Sequence, residues 1–284
     1  MANKSFCAIP SAAAGELSHG LWVHRQQLVG GKHPSGMRRI EPATPQEADD
    51  RQLTALRAKL TKKRTAVLNA IHKILRKHNR EQECPTKVFQ TQKVRRWLAE
   101  MELPGVDRLE MNLLLPQWAM FDEQLEVVEA KIAERAADDE QAKLLESMPG
   151  MGHYSAVAIA SRIGKIERFK RPGSLANYFG LTPGCRNSGE ATQRLGSITK
   201  RGSKIVRYLL GQAVVKVLRF DAAMRQWYKR IKQRRGSKIG RVAVMRRMVT
   251  IIWHMLKRRQ KYHYELPLKK HQEFEAFGGE PVAA

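Results

Sequence analysis

Two long stretches of the sequence repeat apolar residues at spacings of mostly three and four, and this pattern constrains the fold most strongly. The first stretch runs from Glu47 to about His78, and its repeat is Leu53, Leu56, Leu60, Val67, Ile71 and Ile74. Such spacing places the apolar side chains on one side of a helix. No part of the chain sustains an alternation of β-branched residues, so the sequence predicts an all-α fold.

The second stretch follows a linker and a short basic helix predicted over Gln90–Glu100. Its apolar residues alternate spacings of four and three, which is the seam of a heptad repeat: Leu114, Trp118, Phe121, Leu125, Val128 and Ile132. A seam of this kind is typical of coiled-coil helices. We predict that it pairs either within the chain or with a second copy, and that it supports a homo-oligomer.

Positive charge is concentrated in the second half of the chain. The 284 residues carry a net charge of +25, and residues 141–284 contain 30 Lys and Arg against 8 Asp and Glu. Repulsion on this scale destabilises a compact domain unless a polyanion relieves it, and nucleic acid is the obvious polyanion. General solubility or a ribosome-like basic tail would be the alternatives, but the basic residues alternate with apolar ones at helical spacing.

Several classes of protein are disfavoured. Cys7, Cys84 and Cys185 are far apart and form no metal-binding pattern, so neither a zinc site nor a disulfide framework is expected. The start of the chain lacks the apolar stretch of a secretory signal, and the run Met248–Leu256 is too short to span a bilayer. We therefore expect a reduced cytoplasmic protein with no membrane partner and no metal site.

A tight turn is predicted between two helical segments, Lys143–Ser147 and Tyr154–Ile163. It contains Pro149, Gly150 and Gly152, whose glycines permit positive φ and close approach of the backbone to a partner. The free N–H groups of the helix that begins after Gly152, near His153, would form a phosphate cradle. The pattern resembles the helix-hairpin-helix module, which grips the DNA backbone; the alternative is an ordinary α-hairpin without DNA contact.

An exposed loop is predicted over Gly184–Gly196, because Gly, Asn and Ser are dense there. Ser188 lies in this loop, and phosphate contacts are predicted for the basic residues around and after it, namely Arg186, Arg194, Lys200, Arg201, Lys204 and Arg207. A helix follows, capped by Ser203, with an apolar side formed by Ile205, Tyr208, Leu209, Ala213 and Val217.

The motifs of this region occur in an order that resembles a known family. They are "MPGMG", "LANYFGLTP", "NSGE", "LGSITKRGSKIVRYLLGQAV" and "WYKRIKQRRGSKIGRVAVMRRMVTIIWHMLKRRQKY", and they extend over about residues 144–264. The region looks like the C-terminal domain of IS110/IS116/IS902 insertion-sequence transposases. That resemblance implies DNA cleavage and strand transfer by a serine nucleophile, here Ser188, oligomeric assembly and, in some members, an element-encoded guide RNA. It also implies a protein that is associated with the bacterial nucleoid.

Full-length members of that family also have an N-terminal RuvC-like domain whose acidic residues bind a divalent metal such as Mg²⁺. Residues 1–46 contain only Glu16 and Glu41 as acids and no apolar strand. The sequence therefore predicts a truncated transposase with no cofactor site of its own. The alternatives are a non-catalytic DNA- or RNA-binding remnant and an accessory protein that binds branched DNA.

The predicted organisation has four parts. Residues 1–46 are irregular, residues 47–140 form the coiled-coil helical region, residues 141–265 form the transposase domain with its helix-hairpin-helix, and residues 266–284 form a loose tail.

Overall fold

The computed structural model describes residues 42–185 and 195–263. The helices are α1 (Pro45–Lys77), α2 (Gln92–Glu100), α3 (Gly105–Asp138), α4 (Glu140–Glu146), α5 (His153–Ile163), α6 (Pro172–Tyr178), α7 (Lys204–Phe220), α8 (Ala222–Arg235) and α9 (Ser237–Arg258). Two short strands, β1 (Pro183–Cys185) and β2 (Leu195–Ile198), lie between α6 and α7. The predicted all-α fold is confirmed.

Helices α1 and α3 run antiparallel and are joined by ion pairs along their length. Residues progressively later in α1 pair with residues progressively earlier in α3: Asp50 with Arg135, Arg57 with Glu129, Arg64 with Asp122, and Lys77 with Asp107. The first three α1 positions are seven residues apart, so they share one side of the helix. The charges thereby fix the register of the two helices.

The heptad seam of α3 packs inside the chain. Trp118, Leu125, Val128 and Ile132 are buried, and Leu114 and Phe121 are partly buried against the core. The buried residues of α1 lie in the same two apolar clusters, with Leu60 beside the Leu125 end and Ile71 beside the Trp118 end. The sequence left open whether the seam pairs within the chain or with a second copy. In the structure it packs within the chain, against α1.

Helix α9 organises the second half of the described structure. It packs against α4, α6, α7 and α8, and Met248, Val249 and Ile252 are fully buried within it. The Nε1–H of Trp253 donates a hydrogen bond to the carbonyl oxygen of Phe169 at 2.8 Å. Across the described ranges, no helix is both long and apolar enough to cross a lipid bilayer.

The sequence-based prediction of a loop over Gly184–Gly196 is wrong at both ends. Strands β1 and β2 pair antiparallel, with Pro183 opposite Ile198 and Cys185 opposite Leu195, and the register shifts between these two pairs. Strands of three and four residues are too short to display the alternation by which a strand is recognised in a sequence.

Candidate nucleic-acid interface

The turn between α4 and α5 is tightly packed against the rest of the domain. Gly150 has a φ of +85°, and a Cβ at this position would lie 2.8 Å from the Cβ of Lys216 on α7. Met148 and Met151, on either side of it, are buried and are joined by a backbone hydrogen bond of 3.1 Å. The sequence predicted that this glycine lets the backbone approach a binding partner closely. In the structure, the backbone at Gly150 closely approaches α7.

The first turn of α5 is capped from within the chain. The Gly152 N–H donates to Oγ of Ser155 at 2.9 Å, and the same hydroxyl donates to the Gly152 carbonyl at 3.0 Å. His153 Nδ1 lies 2.6 Å from Oε1 of Glu146, although the His153 side chain is largely exposed. A phosphate at this helix terminus would thus meet the carboxylate of Glu146 as well as the positive end of the helix dipole.

A second glycine pair fixes the chain around Lys200 and Arg201. Gly180 and Gly202 both have positive φ, and a Cβ on Gly180 would overlap the carbonyl oxygen of Arg201. A Cβ on Gly202 would likewise overlap the carbonyl oxygen of Tyr178. The Lys200 N–H donates to the Gly180 carbonyl at 3.1 Å. The backbone that carries these two exposed basic side chains is therefore held against the end of α6.

Arg207 holds the same turn from α7. Its Nη1 donates to the carbonyl oxygens of Phe179, Arg201 and Gly202, at 3.1, 3.1 and 3.2 Å. Lys204, one turn earlier, is exposed, and Ser203 caps the helix by accepting from the Val206 N–H at 3.4 Å, as predicted. Of the remaining predicted site residues, Arg186, Ser188 and Arg194 lie outside the described residues.

The basic side chains that the structure describes between Lys165 and Lys261 form no ion pair with a carboxylate. Among residues 42–185 and 195–263, every ion pair joins residues between Glu47 and His153, and none involves a basic residue from Lys165 to Lys261. The carboxylates described in that interval are Glu167 and Asp221. Asp221 is buried and accepts from the Tyr262 hydroxyl at 2.5 Å and from the Met224 N–H at 2.8 Å. The described part of this surface thus carries positive charge that no ion pair offsets, and such a surface suits the binding of a polyanion.

The α8–α9 hairpin contributes the densest part of this surface. The sequence alone makes Arg246, Arg247 and Arg258 of α9 available to phosphates, but it does not identify the basic residues around the turn. Met224 is its one buried residue in α8, and the two helices meet at Gly236, which has a φ of +82°. The exposed basic residues of α8 and of the start of α9 are Arg225, Lys229, Arg230, Lys232, Arg234, Arg235, Lys238 and Arg241. The signal that identifies them is a sequence without a single Asp or Glu between Asp221 and Glu265.

The segment that contains the turn, the glycine pair and the start of the hairpin matches a known family. Residues 142–229 match the sequence model of the Transposase IS116/IS110/IS902 family. This segment is similar to the transposases of that family. The resemblance stated from the motifs is thereby confirmed.

Individual relatives extend the similarity over more of the chain. The transposase for insertion sequence element IS1111A of Coxiella burnetii is 27% identical over 80% of this chain and 64% of its own length. A probable family 20 transposase of Pseudomonas aeruginosa is 30% identical over 49% of this chain and 44% of its own length. A pilin gene-inverting protein of Moraxella bovis is 28% identical over 43% of this chain and 38% of its own length. The chain spans less than two thirds of the length of these relatives.

The acidic, histidine and cysteine side chains of the described residues are scattered. Within the described ranges, no group of three or more His, Cys, Asp or Glu side chains is arranged to hold a metal ion. Asp107, for example, is occupied by Nζ of Lys77 at 2.7 Å and Nε2 of His78 at 2.8 Å. These two donors hold the pKa of the Asp107 carboxyl below its usual range. The described residues therefore do not fit the divalent metal that the family resemblance implies.

Proposed function

We propose that this chain acts in DNA transposition, binding DNA through the basic surface between Lys165 and Lys261 and breaking a DNA strand with Ser188. One observation carries the proposal: the segment that matches a transposase family overlaps the surface between Lys165 and Lys261, whose described basic residues form no ion pair. Phosphate groups would supply the missing negative charge and release counterions on binding.

The proposed chemical step is a transesterification. The Oγ of Ser188 would attack a DNA phosphorus, forming an Oγ–P bond while the bond from phosphorus to one deoxyribose oxygen breaks. The hydroxyl proton passes to a base, and the leaving oxygen gains a proton. A serine hydroxyl is a weak nucleophile and needs such a base or a strong field. Lys200 and Arg201, whose backbone is held by Gly180 and Gly202, are candidates to stabilise the negative charge that gathers on the phosphoryl oxygens.

The Moraxella relative suggests that the proposed strand cleavage and transfer is not limited to transposition. Its name concerns gene inversion, whereas the Coxiella relative is a transposase of an insertion sequence. Both descriptions require DNA strands to be cut and rejoined. We therefore propose strand cleavage and transfer as the common step, and leave a non-catalytic nucleic-acid-binding protein as the alternative, since the basic hairpin could bind DNA without Ser188.

Homo-oligomer formation and binding of an element-encoded guide RNA remain part of the proposal. The buried seam of α3 is not available to a second copy, but another side of the same helix, about 100° around its axis, carries exposed apolar residues: Val106, Leu109, Leu113, Met120 and Val127. Their spacings of three, four and seven follow a heptad pattern. Light scattering of the Leu113→Glu variant tests this surface, and a mass equal to that of the wild type would argue against it.

Salt dependence of DNA binding tests the proposed function. We expect the affinity for a duplex to fall steeply as salt is raised, because each phosphate contact contributes about −0.9 to the slope of log K against log salt. Arg234→Ala/Arg235→Ala should reduce that slope by about 2. The matched control is Lys59→Ala/Lys73→Ala, two exposed lysines of α1. A slope near zero for the wild type, or equal losses in both double variants, would contradict the proposal.

A further inference from the structure

A groove of about 610 Å³ lies between α1 and the first turns of α5 and α7. We propose that this groove binds an unpaired segment of nucleic acid, with one base stacked on Tyr208 and the adjoining phosphates held by Lys62 and Lys204. The inference rests on the proposed nucleic-acid-binding function and adds a site for single strands to it.

The aromatic side chains of the groove favour a flat ligand. Tyr208 is 62% exposed on the groove side of α7, which is unusual for a large aromatic residue. Tyr154 lies in the same lining and is half-buried, with the Arg57 guanidinium 4.3 Å from the centre of its ring. Arg57 is itself held by Oε1 of Glu129, at 2.6 Å from Nη2 and 3.0 Å from Nε. The groove therefore offers one free aromatic face beside one that is already stacked.

The charge of the lining favours an anion. Arg57, Lys62 and Lys204 are its ionisable basic residues, and the lining contains no carboxylate. In the part of the chain that the structure describes, Lys62 and Lys204 form no ion pair. Lys204 also lies in the first turn of α7, where the helix dipole adds to its positive charge. Phosphates on either side of a stacked base would meet these two ammonium groups.

The polar groups of the groove favour recognition without sequence preference. The Thr61 hydroxyl donates to the Arg57 carbonyl at 2.9 Å, and the Thr65 hydroxyl donates to the Thr61 carbonyl at 2.8 Å. These donors are thus used within α1, and Asn69 remains as the one amide of the lining. Stacking tolerates any base because each base has a π-face.

An unpaired strand fits this site better than a duplex. The volume lies within the range of about 300–1,000 Å³ that accommodates ligands the size of one or two nucleotides. In a duplex, neighbouring bases cover each base face, so Tyr208 would have nothing to stack on unless a base were unstacked. The exposed basic side chains of the α8–α9 hairpin, in contrast, suit the phosphates of a duplex.

Fluorescence measurements on wild-type protein and single variants test the site. The probes are a labelled oligothymidine, the equivalent oligouridine and a duplex of the same length, with a 2-aminopurine base in a parallel oligonucleotide to report stacking. Tyr208→Ala should weaken single-strand binding about five- to hundredfold, the range measured when a stacking aromatic is removed, and should leave duplex binding unchanged. Tyr208→Phe should retain both the binding and the quenching of 2-aminopurine.

Phe220→Ala is the matched control, because Phe220 is also on α7, is 57% exposed and lies outside the groove lining. It should bind single strands like the wild type.

Two results for single-strand binding would overturn the inference: no change in Tyr208→Ala, or an equal reduction in Phe220→Ala. If the wild type still binds the duplex in that case, the proposed function stands. A Tyr208→Ala variant that changes only the oligomeric mass would also overturn it, since the groove would then bind a second copy. Failure of the wild type to bind any of the probes would overturn the proposed function itself. Preference for oligothymidine or oligouridine distinguishes DNA from RNA.

Discussion

Gly180 and Arg201 are in direct backbone contact, with no room between them for a side chain. Gly180 has a φ of +68°, and a Cβ there would overlap both the nitrogen and the carbonyl oxygen of Arg201. Gly202 makes the reciprocal contact with Tyr178. The two glycines thus hold the end of α6 against the segment that leads from β2 into α7, and this contact positions the backbone of Lys200 and Arg201.

Replacing Gly180 should cost much of the stability of the domain. Gly180→Ala combines the steric overlap with a positive φ that alone costs about 1–3 kcal/mol. We expect a decrease in the free energy of unfolding larger than that range in urea denaturation. The control is Gly211→Ala within α7, where no atom lies within 4 Å of the added Cβ. That change should stabilise the helix by about 0.5–1 kcal/mol. Equal effects at the two positions would contradict the packing described for Gly180.

The two glycines of the α4–α5 turn should respond differently to alanine. Gly150→Ala places a Cβ against Lys216 at positive φ, so we expect a loss of about 1–3 kcal/mol or more in thermal or urea unfolding. Gly152 has a φ of −105° and nothing within 4 Å of an added Cβ. Gly152→Ala should therefore cost only the preference of a helix N-cap for glycine over alanine, which is under about 1 kcal/mol. Similar losses for both variants would show that the turn is not held by its contact with α7.

Asp50 should destabilise the protein at neutral pH. Burial raises the pKa of the Asp50 carboxyl above its usual range, although Nε of Arg135 lies 3.6 Å from Oδ1 and opposes the shift. The folded state then binds a proton at pH values where the unfolded chain has lost it, so stability falls as pH rises above about 4. Asp50→Asn should raise the melting temperature at neutral pH by about 1–3 °C, and the difference should vanish below about pH 4. A lower melting temperature at neutral pH would mean that the Arg135 pair outweighs the cost of burial.

The Tyr262 hydroxyl satisfies a buried carboxylate and should be important for stability. Tyr262→Phe leaves Oδ2 of Asp221 without this donor, and a buried acceptor that loses its partner costs about 1–3 kcal/mol. We expect that loss in the free energy of unfolding. Tyr208→Phe, at a hydroxyl on a side chain that is 62% exposed, should change it by less than about 0.5 kcal/mol. A Tyr262→Phe variant as stable as the wild type would show that water or another group satisfies Asp221.

The long helices were predictable because their apolar residues repeat over many turns. The partner of the α3 seam was not, since the acidic and basic residues that fix it, such as Arg57 and Glu129, are 72 positions apart and identify each other only in three dimensions. For α7 the sequence assigned Ile205 and Tyr208 to the apolar side, but the structure buries Val206 and Leu210 and leaves Tyr208 exposed. Both sets satisfy helical spacing, because moving one residue along a helix rotates the face by only about 100°.

The sequence was sufficient to predict that the interface is positively charged, but not which residues form it. The excess of basic residues after position 140 indicated a polyanion without any structure. Arg207 was assigned to phosphate for the same reason, yet its Nη1 is engaged by three carbonyl oxygens that no local sequence pattern indicates. The helix-hairpin-helix assignment, the domain boundaries and the role of Ser188 remain predictions.

Covalent trapping tests the central claim most directly. The wild type, Ser188→Ala and Ser197→Ala would each be incubated with labelled DNA that spans one end of the insertion sequence encoding the protein. Mg²⁺ and any RNA encoded by that insertion sequence would be present, and the products would be separated on a denaturing gel. Ser197 is an exposed serine of β2 and is the matched control. We predict labelled protein for the wild type and Ser197→Ala, and none for Ser188→Ala. Labelled protein that persists in Ser188→Ala would contradict the account. So would a wild type that binds the DNA without forming an adduct while a full-length relative forms one under the same conditions.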